Sequence, residues 1–85
     1  MRSFLVEVYV PRARGRDASA SARRLREAVA ELSERGTPIR HVRTTFLPDD
    51  ETCFHLVEAA SSDAVGEVCQ RAGLGHVRIV VAVER

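Results

Sequence analysis

The hydrophobic period of this chain switches back and forth between two residues and about 3.6 residues, and that switching constrains the fold more than any other feature. Phe4, Val6, Val8 and Val10 alternate with Leu5, Glu7 and Tyr9 and stop at Pro11, which is the pattern of a half-buried strand. After an arginine-rich loop, Ala18, Ala22, Leu25, Val29 and Leu32 recur at steps of four and three, so one stripe of a helix is apolar. Asp17, Ser19 or Ser21 can cap that helix. Gly36 stands where a left-handed residue would end it, and Pro38 blocks continuation. Period two returns over residues 39–46 and 52–58, separated by the turn Leu47-Pro48-Asp49-Asp50-Glu51. Ser61-Ser62-Asp63 opens a second helix whose buried stripe is Val65, Val68, Cys69 and Ala72, ended by Gly73 and Gly75. Residues 77–83 form a β-branched closing strand.

The element order is βαββαβ. With 85 residues there is room for one domain, residues 1–85. The expected fold is therefore α+β and ferredoxin-like: a four-stranded antiparallel sheet in order 4-1-3-2 with both helices on one face. The 45% apolar content suits a folded domain, and no run approaches the roughly 20 apolar residues of a membrane span. Glu7 interrupts the N-terminal apolar run before a signal-peptide core could form. Two cysteines are too few for a disulfide framework, and both are expected to be reduced. A cytoplasmic protein with no membrane partner is the expectation.

Helices on one face leave the other face of the sheet open, and its lining bears on function. Val6, Val8, Val42, Phe46, Phe54, Leu56, Ile79, Val81 and Val83 are assigned to the helix side. Alternation then puts Leu5, Glu7, Tyr9, His41, Arg43, Thr45, Cys53, His55, Val57, Arg78, Val80 and Ala82 on the open side. A five-residue turn pairing Thr45 with Cys53 sets Arg43 opposite His55 and His41 diagonal to it, with Glu7 approaching from the first strand. Two imidazoles, a carboxylate and a thiol converging there are donors for a divalent transition metal such as nickel or zinc. The same face, with Leu5, Tyr9, Val57, Val80 and Ala82, also reads as a homodimer interface in which the histidines are structural. His76 reads as a solvated loop residue.

Every basic residue is arginine, and Arg12, Arg14, Arg16, Arg23, Arg24 and Arg26 cluster. Net charge is only +1, and Glu27, Glu31 and Glu34 offset the helix, so a solvated face is favoured and no nucleic-acid partner is expected. RNA-recognition domains share the topology but need exposed aromatics on the two central strands, where this chain has Tyr9, Cys53 and His55, and the characteristic glycine-aromatic motif is missing. The chain has no asparagine for an acylphosphatase site and no C-x-x-C after the first strand for a heavy-metal-associated domain. A dimeric α+β-barrel protein of isomerase, cyclase or monooxygenase type is the alternative, with His41 or His55 as base and Glu7 as its partner. It would take a small-molecule ligand.

The stretches Phe4-Leu5-Val6-Glu7, Ile39-Arg40-His41, Asp49-Asp50 and Phe54-His55-Leu56-Val57-Glu58-Ala59, the last followed by Ser61-Ser62-Asp63, resemble a small actinobacterial ferredoxin-like family of unknown function. One member of that family is described as nickel-binding. The resemblance implies a homodimer and a metal role for Glu7 and His41, with His55 at a third-strand position where relatives often carry cysteine. The resulting expectation is a nickel-binding protein with His41, His55, Glu7 and Cys53 as candidate ligands.

Overall fold

In a computed structural model, which describes residues 1–83 and residue 85, strand β1 runs Arg2–Tyr9 and helix α1 runs Arg16–Glu34. Strands β2 (Ile39–Leu47) and β3 (Thr52–Ala59) follow, then helix α2 (Ser62–Arg71) and strand β4 (Arg78–Ala82). All pairings are antiparallel and the strand order is β2-β3-β1-β4, the expected order read from the other edge. The fold is thus α+β and ferredoxin-like.

Local chemistry explains the boundaries. A 3-10 turn at Arg12–Arg14 leads straight into α1, so Gly15 occupies the N-cap position and no side chain caps the helix. Asp17 instead pairs with Arg14 at 3.1 Å, and Ser21 faces the sheet from inside the helix. At the other end Gly36 takes φ +93°, and the amides of Gly36 and Thr37 donate to the carbonyls of Ser33 and Leu32. Ser61 caps α2 by accepting from the Ala64 amide at 3.3 Å, as its sequence position implies.

The core lies between the helices and one face of the sheet. Leu25, Val29 and Leu32 of α1 and Val65, Val68 and Cys69 of α2 join Phe4, Val6, Val8, Cys53 and Val57 in a single buried cluster. Fully burying a side chain of Leu or Phe size contributes about 1.5–3 kcal/mol, so this layer supplies most of the driving force for the fold. Val81, assigned to the helix side, pairs with the buried Phe4 but is 52% exposed, on the short edge strand β4.

The β2–β3 hairpin departs from expectation by one residue. Leu47 pairs with Thr52, leaving the four-residue turn 48–51 with Glu51 at φ +50°. Phe46 therefore faces Cys53, and Thr45 faces Phe54. A shift of one residue turns every side chain of β3 over. Cys53, His55 and Val57 lie on the helix side, while Phe54 and Leu56 lie on the open side. A bulge at Val42 adds a second inversion: His41 opposes Val57 and Arg43 opposes Leu56, so His41 also turns toward the helices.

Candidate functional site

The four residues expected to converge on the open face are divided between the two faces. His41, His55 and Cys53 stand on the helix side, and Glu7 stands on the open side, where Arg78 donates to it at 3.1 Å. His55 has no solvent exposure. Its Nδ1 lies 2.7 Å from Thr44 Oγ1 and its Nε2 lies 3.0 Å from Ser21 Oγ, with Cys53 Sγ at 3.8 Å. Thr44 Oγ1 is also 2.9 Å from His41 Nε2, so one threonine hydroxyl joins two imidazoles whose ring centres are 6.2 Å apart.

Electrostatics keep this cluster neutral. Burial first, then His41, then Arg26, push the His55 imidazole down to about 4. Burial and Arg26 lower His41 in the same direction. Burial pushes the Cys53 thiol up, so it holds its proton at neutral pH.

Proton bookkeeping follows from donor inventories. With both imidazoles neutral, three proton arrangements satisfy the chain His41–Thr44–His55–Ser21. The Thr44 hydroxyl donates to His41 in one and to His55 in another. In the third, His41 Nε2–H and His55 Nδ1–H both donate to Thr44, Ser21 donates to His55 Nε2, and the Thr44 proton points elsewhere. Among the described residues no buried side-chain polar atom lacks a partner.

A divalent ion does not fit this donor set. Both nitrogens of His55 are engaged, Arg26 adds positive charge, and Glu7 is on the far side of the sheet. Among the described residues no three side chains of His, Cys, Asp or Glu are grouped to hold an ion. His55 and Cys53 were placed on the open face by a turn counted one residue too long, and His41 by a bulge that no residue type announces.

The open face carries something else. Leu5, Phe54, Leu56, Ala82 and Val83 form the apolar part of a depression of about 380 Å³, with Arg43 and Thr45 supplying its polar groups. No acidic or imidazole side chain lines it among the described residues. Arg43 has no ion-pair partner among the described residues, whereas Arg40 and Arg78 on the same face pair with Glu58 and Glu7.

Sequence reasoning missed Thr44, Ser21 and Arg26. Ser21 could have been found: it lies three residues after Ala18 and four before Leu25, on the buried stripe of α1. Thr44 lies two residues before Phe46 and so shares its face. Compared with protein-family models, curated proteins and solved structures, the chain matches none, so the family resemblance stands on its short motifs alone.

Proposed function

We propose that this chain is a small-molecule-binding module that works as a homodimer. Two copies lay their open sheet faces together and enclose a ligand that is mostly apolar and bears one carboxylate. The depression between Leu5, Phe54 and Leu56 carries this reading, because it joins an apolar floor to Arg43 and Thr45 and contains no acid. A monomer leaves Leu5, Phe54, Val80 and Ala82 partly in water, and a second copy across a two-fold axis would cover them. Arg43 then gains a carboxylate partner in a site shielded from solvent, where a charge-assisted bidentate contact is strongest.

The alternative of acid–base catalysis draws no support from the residues at hand. His41 and His55 are on the other side of the sheet, and Glu7 is held by Arg78. Binding rather than proton transfer is the reading.

Sedimentation velocity at micromolar concentration, combined with calorimetric titration of octanoate, tests the proposal. The expected result is a species of twice 9.4 kDa that binds octanoate, with at least tenfold weaker binding in Arg43→Gln. A 9.4 kDa species that takes up no octanoate would overturn it.

A further inference from the structure

On the opposite side of the sheet, α1 and β2 are separated by a groove of about 250 Å³. The small side chains of Ala18 and Ala22 line it on the helix side, and Phe46 lines it on the strand side. Its polar lining consists of the Arg26 guanidinium and the hydroxyls of Ser19 and Thr44, and no carboxylate is among the lining residues. Arg26 makes no ion pair among the described residues, whereas Arg12, Arg14, Arg35, Arg40, Arg71 and Arg78 each make one or more.

Thr44, one of the residues that line this groove, carries the hydroxyl that bridges the two imidazoles. An oxygen of this kind accepts two hydrogen bonds and donates one. When His41 and His55 both donate to Thr44, its own hydrogen is released, and the groove is the space Thr44 lines. Arg26, which repels protons from both histidines, would equally repel a metal ion and attract negative charge. The features that make this cluster a poor cation site therefore suit an anion.

We infer that the α1–β2 groove binds a small tetrahedral oxyanion, a phosphate or sulfate group, through the Arg26 guanidinium and the hydroxyls of Ser19 and Thr44. Binding selects one proton arrangement of the relay behind it: His41 protonated at Nε2, His55 at Nδ1, and Ser21 donating to His55. This site is independent of the open-face depression, with the sheet between them.

The test is an NMR titration of the full chain with inorganic phosphate at pH 7.5, at constant ionic strength set with sodium chloride. Backbone shifts should saturate at Ser19, Arg26 and Thr44, and long-range nitrogen spectra of the imidazoles should converge on the two stated tautomers. Arg26→Gln, an exposed position, should weaken binding at least tenfold while leaving the fold intact. Sulfate should compete with phosphate, and acetate should compete poorly. Absence of saturable shifts at these three residues, equal affinity in Arg26→Gln, or unchanged imidazole tautomers at saturating phosphate would each overturn the inference.

Discussion

Thr44 and His55 face each other across β2 and β3, and the threonine Oγ1 lies 2.7 Å from Nδ1 of a histidine with no exposure to solvent. The pair holds a titratable ring in the core without charge. Its consequence is a pH dependence of stability whose sign is fixed. In the unfolded chain a histidine titrates near 6.5, while in the fold His55 is held down to about 4. Between those values the unfolded state binds the extra proton. Stability from this group is therefore complete above about pH 6.5, falls as pH drops toward 4, and levels off below it. The loss across that window should be on the order of 3 kcal/mol. Urea melts at pH 7.5, 5.5 and 4.5 measure it, and His55→Gln, which keeps hydrogen-bonding capacity, should flatten the curve over the same range. A wild-type profile as flat as the variant's would show that the ring is not held neutral.

Ser21 supplies the other partner of that ring, 3.0 Å from Nε2, from inside α1. Ser21→Ala leaves a buried nitrogen with no oxygen to pair with, at a cost of about 1–3 kcal/mol. Ser19→Ala, nearby on the exposed side of the same helix, should stay within about 0.5 kcal/mol. Equal losses in thermal melts would mean that the serine hydroxyls act only through helix propensity.

Leu25 has no solvent exposure and lies in the cluster that joins α1 to Val6 and Val8. Leu25→Ala should cost about 2–5 kcal/mol as a cavity mutation. Val81→Ala, at a position 52% exposed, should cost about 0.5 kcal/mol or less. A Val81 loss matching that of Leu25 would mean that something covers the edge of β4 in solution, and a dimer contact there would be the first place to look.

Nickel and zinc titrations should show no tighter binding to the wild type than to the His41→Ala/His55→Ala double variant. The reasons are the nearby Arg26 charge, the occupied nitrogens of His55 and the distance of Glu7 across the sheet. Isothermal calorimetry with untagged protein decides it. A wild type that binds nickel tenfold or more tightly than the double variant would restore the metal reading.

The architecture was legible because its signals are redundant. The α1 stripe, the glycines at 36 and 73 with positive φ, and the Ser61 cap each mark a boundary by a separate mechanism. The faces of β3 were not legible. Cys53, Val57 and Ala59 make an apolar set of one parity, and Phe54 and Leu56 make an equally apolar set of the other. Composition cannot choose between them, so the choice fell to turn length, where Leu47 belongs to the strand and not to the turn. The buried His55 also argued for the wrong parity, since an imidazole is expected in water unless its partners are known. Those partners, Ser21 and Thr44, come from segments far from each other in sequence. Strand β1 was easier, because its buried set is all aromatic or β-branched and its other set contains Glu7.

The bulge at Val42 works as a phase shifter. Arg43, Thr45 and Leu47 keep their places on the open face regardless of what precedes them, whereas everything on the N-terminal side of residue 42 is inverted by the one extra residue. Removing Val42 alone would make the ladder regular and leave His41 on the helix side opposite Val57, whereas keeping Val42 and pairing it in the ladder would carry His41 to the open side, into line with Arg43. In that second register the imidazole would leave the Thr44 hydroxyl and stand opposite Glu58. Whether Val42 is bulged out or paired thus decides which surface of the protein carries a titratable group, with no change in composition.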